Sequence, residues 1–346
     1  MLDTSAYHTT IGVDIAKNVF QVYSENDGGE FQNIQVKRDH FLSKFENRER
    51  CLIGMEACAG SQNLARELQA RGHDVILMHP KHVKPYVRGQ KNDRNDAKGI
   101  HTAMLNEVRQ VAVKDPHTRD IDLLMTMRTK LIKDKTKGVN HVRGILAEYG
   151  IVMGRSVAIF TKEVGKCICQ LEEQGGASAA IIMQLRLSVE DVCKIAERVK
   201  EIELEIKKLA QQTKHYERFL TAPGVGPITA AVMCVMLVNP ALFKNGRSFA
   251  AYIGLTPMSF GSGGKNVVYS IPKHRANKEV RALLVQCAHS ITRSVHRSPW
   301  VQKILTTKPK KVAVIAIVNR LARQLWAMAS KAEDWKNMVS LAVTNK

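Results

Sequence analysis

The first third of the chain alternates short apolar runs with amphipathic segments. Three β-rich runs, TTIGVDIA, VFQVYSE and FQNIQV, fall within residues 9–36, and the turn signal NDGG separates the second from the third. This pattern predicts an antiparallel meander of three strands. CLIGMEA (51–57) and DVILMHP (74–80) are continuous apolar runs that predict two buried strands.

Helical patterns separate these strands at 40–50, 61–72 and 82–110. The resulting order, βββ-α-β-α-β-α, is typical of an α/β domain in which helical crossovers connect parallel strands. We therefore predict a mixed five-stranded sheet with helices for the N-terminal domain.

Helical patterns dominate the rest of the chain. A long basic helix is predicted at 118–149, and apolar residues spaced 3-4-3-4-3 at 192–209 predict a coiled-coil seam. The alternative is one amphipathic helix packed on its own domain. Beyond Tyr216, short apolar helices punctuated by Gly and Pro predict a mainly α-helical C-terminal domain. The predicted domains are 1–155, 156–215 and 216–346.

The charge narrows the range of functions. Among 346 residues, 52 are Lys or Arg and 32 are Asp or Glu, which gives a net charge of +20 spread along the chain. Such an excess is typical of proteins that bind nucleic acids, because each cation placed on a phosphate releases condensed counterions. The alternative is a solvated basic surface or a ribosome-associated protein.

The seven cysteines form neither a disulfide framework nor a zinc pattern. No run of about 18 apolar residues predicts a membrane span, and the first residues lack a signal-peptide pattern. We expect a cytoplasmic protein in a reducing environment.

Four carboxylates fall where this topology brings chain segments together. Asp14 lies in the first strand, Glu56 at the end of the fourth, and Asp93 and Asp96 three residues apart after the fifth. Converging like charges need a compensating cation, and hard oxygen ligands suit Mg²⁺ or Mn²⁺. The alternative is a set of solvated strand ends and helix caps.

Three further features suggest contacts with phosphate. Gly224 and Gly226, in APGVGPITAA, resemble the turn of a helix-hairpin-helix, although a plain interhelical turn is the alternative. Arg128 and Lys130 belong to a basic cluster on the long helix. The loop SFGSGGK (259–265) presents serines in a flexible context, or is simply a surface loop. Cations in and after that loop are Lys265, Lys273 and Arg275, with His274 as a candidate base.

These motifs together resemble a known family. GVDIAK, MEACAG and NDRNDA look like the RuvC-like, ribonuclease-H-fold domain of the DEDD insertion-sequence transposases. TAPGVGPITAA, FAAYIGLTP and the SGGK loop look like the C-terminal transposase domain of the same proteins. The resemblance covers nearly the whole chain.

The resemblance implies a DNA recombinase that excises and inserts its own mobile element. It implies divalent metal at Asp14, Glu56, Asp93 and Asp96, and a serine nucleophile that forms a phosphoserine link to DNA. By its offset from GLTP the serine is Ser262, with Ser259 as the nearby alternative.

The resemblance further implies a noncoding guide RNA, the bridge RNA, and a homo-oligomer from dimer to tetramer. It implies a nucleoid-associated prokaryotic protein with no membrane partner. Two other functions remain open: a RuvC-like structure-selective nuclease that uses water as nucleophile, and a DNA- or RNA-binding architectural protein.

Overall fold

A computed structural model describes residues 6–90, 92–106, 108–262, 265–268, 270–271, 277–295 and 297–335. The chain divides into two compact units. Unit 1 comprises Met1–Pro116 with Val238–Lys244, and unit 2 comprises His117–Leu237 with Asn245–Lys346. The structure thus groups the long basic helix with unit 2, whereas the sequence assigned it to the first domain.

Unit 1 is built on a mixed six-stranded sheet in the order β3-β2-β1-β4-β5-β6. The first three strands form the predicted antiparallel meander, and β1, β4 and β5 run parallel. The strands are β1 (Thr9–Ile15), β2 (Val19–Asn26), β3 (Phe31–Lys37), β4 (Leu52–Glu56), β5 (Asp74–Met78) and β6 (Gln110–Val111).

The predicted count of five strands is wrong by one. Strand β6 pairs antiparallel with the end of β5, where Leu77 faces Val111. Two residues are too few to produce a detectable alternation of apolar and polar positions, so the sequence pattern extended the preceding helix across them.

The helices of unit 1 are shorter than the patterns predicted. The predicted helix at 40–50 is one turn of α-helix followed by a 3₁₀ turn at Leu42–Phe45, and Asn47 then has a φ of 59°. The predicted helix at 82–110 is interrupted by a 3₁₀ turn at Lys84–Tyr86 and by extended backbone at Asn92. The helices are α1 (Arg38–Phe41), α2 (Ser61–Ala70), α3 (Pro80–Val83) and α4 (Asp93–Leu105).

Helices cover both faces of the sheet. Ile11, Val13 and Ile53 share one apolar core with residues of α2. The alternate positions of the strands, among them Leu52 and Ile76, share a second core with residues of α4. Burial on both faces explains why β4 and β5 are continuous apolar runs rather than alternating ones.

Helix α4 lies directly against β1 because position 12 is glycine. A Cβ atom at Gly12 would come within 2.4 Å of the Ala97 carbonyl oxygen and 2.6 Å of the His101 nitrogen. His101 itself is buried, and its Nε2 is 2.8 Å from Thr10 Oγ1. Burial lowers the pKa of this imidazole. The close approach places the first turn of α4 near the end of β1.

Unit 2 begins with two 33-residue helices, α5 (Pro116–Glu148) and α7 (Ala179–Gln211), joined through α6 (Val157–Glu173). The two long helices run antiparallel. His117 Nε2 lies 2.8 Å from the Leu209 carbonyl oxygen near one end, and a Cβ at Gly138 would touch Val192 farther along. Helix α6 packs on α7 and shares an apolar core with the far ends of α5 and α7.

The predicted coiled-coil seam lies on α7. Its residues Val192, Val199 and Ile206 are 7%, 6% and 0% exposed within the single chain. Val192 belongs to the same apolar core as Val139 and Val142 of α5. This face of α7 is therefore packed on its own unit, which is the alternative interpretation of the heptad spacing.

The C-terminal part of unit 2 is mainly helical, as predicted. The glycine-rich loop contributes a short antiparallel hairpin that the sequence pattern did not predict. The elements are α8 (Tyr216–Leu220), α9 (Pro227–Met236), α10 (Gly246–Tyr252), β7 (Ser259–Ser262), β8 (Lys265–Val268), α11 (Lys278–Arg293), α12 (Pro299–Thr307) and α13 (Lys310–Lys331).

Helix α13 is long and apolar enough, by length and composition alone, to cross a membrane. Half of its most apolar stretch is buried inside the protein, where the helix packs on α10, α11 and α12. The core helix of a folded domain has the same composition, and these contacts give α13 that role.

We predict that Gly12→Ala destabilises unit 1. The added methyl group overlaps the backbone of α4, which cannot rotate away as a side chain can. The free energy of unfolding should fall by about 1–3 kcal/mol, as in other overpacked cores, measured by urea unfolding. Gly28→Ala is the control, because a Cβ there meets only Asn26 Oδ1 at 3.5 Å. Equal stability of the two variants would contradict the proposed contact.

Candidate active site

Three aspartates converge where β1 ends and α4 begins. Asp14 is the last residue but one of β1, Asp93 is the first residue of α4, and Asp96 lies in the same turn. One carboxylate oxygen from each lies within 4.8 Å of the other two. Asp14 and Asp96 are half-buried and Asp93 is exposed. Three of the four carboxylates predicted from the sequence thus meet.

Glu56, the fourth, is the last residue of β4. Gly12 pairs with Gly54 and Val13 with Met55, so the parallel register brings Glu56 beside Asp14 at the same edge of the sheet. Side chains alternate along a strand, which places both on the α4 face with the two glycines. Glu56 is not a member of the group whose oxygens lie within 4.8 Å.

The pKa of the Cys58 thiol depends on the charges around it. Burial is the largest cause that raises its pKa, and the negative charges of Glu56 and Asp14 raise it further. Arg38 offsets part of this effect. Both carboxylates therefore lie close enough to this thiol to act on its pKa.

Local hydrogen bonds define the first turn of α4. The Asn92 side chain caps the helix by accepting from the Asn95 backbone nitrogen at 2.9 Å. Asn95 Nδ2 in turn donates to the Gln90 carbonyl at 2.7 Å. A helix N-terminus favours negative charge, so the macrodipole offsets part of the repulsion between Asp93 and Asp96.

A second set of hydrogen bonds ties this turn to the meander. Gln21 Nε2 donates to Asn33 Oδ1, and Asn33 Nδ2 donates to the Arg94 carbonyl at 3.1 Å. Gln21 pairs with Asp14 in the β1–β2 register and is buried. Sequence reasoning missed this residue, although a glutamine inside the apolar run VFQVY was a detectable signal.

The donor set fits a hard divalent cation. Asp14, Asp93 and Asp96 present carboxylate oxygens on rigid elements, and Mg²⁺ and Mn²⁺ prefer such ligands. Three carboxylates this close repel one another strongly unless a cation or a proton compensates them. The part of the site that the structure describes therefore matches the cation type expected from the sequence.

The candidate serines lie in the β7–β8 hairpin of unit 2. Ser262 is the last residue of β7 and pairs with Lys265, whereas Ser259 pairs with Val268 at the other end. The candidates Lys273, His274 and Arg275 lie outside the described residues.

A turn lies between α8 and α9 at the predicted position, and it fits both the helix-hairpin-helix interpretation and the plain interhelical turn. Gly224 has a φ of 73°, and a Cβ there would come within 2.6 Å of the Cys287 carbonyl oxygen, so the turn packs closely on α11. Gly226 is the residue preceding α9, with open space where its Cβ would be. Phosphate contact at this turn stays a prediction.

The two cations predicted to bind nucleic acid on α5 differ in their surroundings. Arg128 is 16% exposed, and its Nη2 lies 2.6 Å from Glu203 Oε1 of α7. Lys130 is 77% exposed and pairs with Asp134 on its own helix. The structure thus gives Arg128 a partner on a second helix and leaves Lys130 at the surface of α5. Phosphate contact by Lys130 stays a prediction.

Comparisons with known families match both parts of the chain. A family model described as a transposase, of the DEDD IS110 type, matches residues 11–151. A second model, described as the transposase IS116/IS110/IS902 family, matches residues 216–305. The first match includes the aspartate cluster, and the second includes the helix-hairpin turn and the serine hairpin.

Curated proteins are similar over almost the full length. A probable family 20 transposase of Pseudomonas aeruginosa is 32% identical over 328 residues, which covers 93% of this chain and 96% of that protein. The transposase for insertion sequence element IS1111A of Coxiella burnetii is 31% identical and covers 94% of this chain and 91% of its own length. The transposase for insertion sequence element IS1328 of Yersinia enterocolitica is 30% identical, with 93% and 97% covered.

We predict that Mn²⁺ stabilises the wild type and not Asp14→Asn. Without metal, the variant should be at least as stable as the wild type, because one of three mutually repelling charges is gone. With Mn²⁺ at about 100 times its dissociation constant, the wild type should gain about 2.7 kcal/mol, read as a shift in thermal unfolding. Asp39→Asn, an exposed change outside the cluster, should retain the gain. An equal Mn²⁺ effect in both variants would exclude the site.

We predict that Arg128→Ala lowers the stability of the protein, whereas Lys130→Ala weakens its binding to DNA. Loss of Arg128 removes its ion pair with Glu203, which is 35% exposed, and should lower the free energy of unfolding by about 1 kcal/mol. Loss of Lys130 should leave stability within about 0.5 kcal/mol and weaken DNA binding, measured by fluorescence anisotropy at two salt concentrations. The assignment fails if Lys130→Ala binds DNA like the wild type.

Proposed function

Because the chain belongs to the IS110 family of DEDD transposases, and is therefore an enzyme that cleaves and rejoins DNA, we propose a specific reaction for it. The protein recombines the ends of its insertion element with target DNA through a covalent phosphoserine intermediate on Ser262. The cluster of Asp14, Asp93 and Asp96 is the observation that carries this proposal.

In this proposal Asp14, Asp93 and Asp96 hold divalent metal, Mg²⁺ or Mn²⁺, and Glu56 contributes from the adjacent strand end. Bound metal would supply Lewis-acid stabilisation of the charge that develops on the phosphate. The aspartates belong to a strand end and a capped helix, so they hold their oxygens in place before substrate binds. Such preorganisation spares the site from rearranging during the reaction.

Ser262 is the proposed nucleophile. Its Oγ forms a bond to phosphorus while the bond from phosphorus to the 3′ oxygen breaks, and the hydroxyl proton passes to a base as the 3′ oxygen gains one. In rejoining, a 3′-hydroxyl attacks the phosphoserine, which restores a phosphodiester and the free serine. The number of phosphoester bonds is unchanged, so rejoining needs no nucleotide cofactor.

The chemistry requires Ser262 and the aspartates to act on one phosphodiester, within one chain or between two copies. They belong to separate compact units and lie more than 160 residues apart in sequence. A homo-oligomer, dimer to tetramer, is the form we propose for the active complex. Such an assembly would delay cleavage until the DNA partners are aligned.

The net charge of +20 supports binding to DNA and to a noncoding guide RNA. With a guide RNA, base pairing carries target specificity while the protein contacts the backbone and recognises the shape of the duplex. The proposed phosphate contacts are Lys130, which is exposed, and three cations chosen from the sequence, Lys265, Lys273 and Arg275.

We predict a covalent protein–DNA adduct that depends on Ser262. Cells carrying the gene with its flanking noncoding DNA should yield an adduct that maps to Ser262, detected by mass spectrometry after nuclease digestion. Ser262→Ala should abolish the adduct and strand exchange and retain DNA binding. Ser259→Ala, at the start of the same strand, is the matched control and should retain both.

Other outcomes distinguish the alternatives. Cleaved DNA without an adduct, unchanged in Ser262→Ala, would identify a hydrolytic nuclease that uses water. Full activity of Asp14→Asn would remove the carboxylates from the reaction. Deleting the flanking noncoding DNA while supplying the element ends separately tests the guide RNA, and undiminished recombination would exclude it.

A further inference from the structure

A cavity of about 950 Å³ lies within unit 2, bounded by the start of α10, the segment after it, the start of α12 and one side of α13. This volume lies in the range typical of small-molecule sites. The cavity belongs to unit 2, whereas the aspartate cluster belongs to unit 1, and none of the candidate site residues that the structure describes lines it.

The cavity combines strong positive charge with aromatic surface. Arg247, Arg320 and Arg323 line it, together with Trp300 and Trp326. No carboxylate is among the described residues that line it, so the three guanidinium charges are not neutralised there. Its remaining wall is largely aliphatic, with amide groups from residues such as Asn319 and Gln324.

The tryptophans are concentrated at this place. The chain has three, and aromatic residues make up only 5% of it. Trp300 and Trp326 line the first cavity, and Trp300 and Trp335 line a second of about 520 Å³. Trp300 and Arg320 line both cavities, and the second reaches Gly224 of the helix-hairpin turn. The cavities therefore adjoin along one wall.

The Arg320 guanidinium lies over the Trp300 indole, 4.4 Å from the ring centroid. This stacking fixes the direction of a cation that would otherwise sample many rotamers. A planar guanidinium held in this way binds phosphate oxygens through two parallel hydrogen bonds. The indole rings of Trp300 and Trp326, which line this cavity, are flat apolar surfaces of the kind on which unpaired bases stack.

We propose that this cavity binds one unpaired nucleotide of a nucleic-acid strand, with its base against tryptophan and its phosphate on the arginines. An apolar peptide would leave three guanidinium groups without partners, and a free anion would leave the aromatic wall unused. A nucleotide would provide a phosphate for the guanidinium groups and a base for the aromatic wall. The inference rests on the proposed function only for the source of the strand, because the binding itself requires neither the aspartates nor Ser262.

The test uses the full-length protein and a short duplex that carries one unpaired 2-aminopurine. Matched probes have an abasic residue at that position or are fully paired, and each is made in DNA and in RNA. For the wild type, we expect quenching of 2-aminopurine and an affinity roughly five- to 150-fold higher than for the abasic probe, the range that corresponds to one base–aromatic stack.

Trp300→Leu should reduce this affinity gap to about one. It should also weaken binding of the abasic probe to a lesser extent, because Arg320 loses the ring that orients it. Arg323→Gln, at an exposed position, should weaken binding of the unpaired and abasic probes more than binding of the fully paired probe, because both of the former can place a phosphate in the cavity. This variant decides the question if Trp300→Leu fails to fold by circular dichroism. Lys130→Ala is the matched control outside the cavity and should weaken all probes alike. The larger gap, in DNA or in RNA, identifies the source of the nucleotide.

No preference for an unpaired base over an abasic residue, in either DNA or RNA, would overturn the inference. An unchanged gap in Trp300→Leu would do the same. Where that variant misfolds, equal weakening of the unpaired and fully paired probes by Arg323→Gln would also overturn the inference. The proposed function is tested independently, because Asp14→Asn and Ser262→Ala should retain the affinity gap between the unpaired and abasic probes. Base-dependent binding without any DNA adduct would leave this inference standing and remove the serine mechanism.

Discussion

The contact between the backbone of α4 and the backbone of β1 at Gly12 is the constraint on which the candidate active site depends. Only a residue without a Cβ permits the helix to approach so closely. This proximity converts two distant stretches of sequence, IGVDIA and NDRNDA, into one cluster of carboxylates. A helix N-terminus opposes the repulsion within that cluster. The turn that carries Asp93 and Asp96 is held by the Asn92 cap, which accepts from the Asn95 backbone nitrogen, and by the bond that Asn33 donates to the Arg94 carbonyl. Folding free energy thus maintains an arrangement of charge that is unfavourable by itself.

The sequence predicted what depends on local pattern. The meander and the two buried parallel strands were recognisable because apolar periodicity and turn residues agree there. Three of the four predicted carboxylates meet because strand order follows from connection rules. The two-residue strand β6 and the broken helix before α4 were not predictable in this way, since pairing with β5 and extended backbone at Asn92 override helical propensity.

Residues of the same chemical type also have different surroundings in the structure, and their spacing in the sequence does not predict those surroundings. Arg128 and Lys130 are two positions apart on one basic helix, yet one joins two helices and the other is solvated. The heptad spacing on α7 was equally ambiguous, because a seam facing a partner chain and a seam facing α5 have the same period. Gln21 was missed since its importance depends on the residue opposite it. Such distinctions require knowledge of which elements pack together.

The placement of the tryptophans has a practical consequence for optical studies. All three belong to unit 2, so unit 1 contains no indole. Tryptophan fluorescence, excited at the red edge of protein absorbance, therefore comes from unit 2 alone. A change in tryptophan fluorescence would indicate a structural change around α12 and α13. Metal binding at the aspartates would leave the fluorescence unchanged unless a conformational change passes from unit 1 to unit 2. Intrinsic emission from the unlabelled protein thus offers a direct measure of whether a signal passes from one unit to the other.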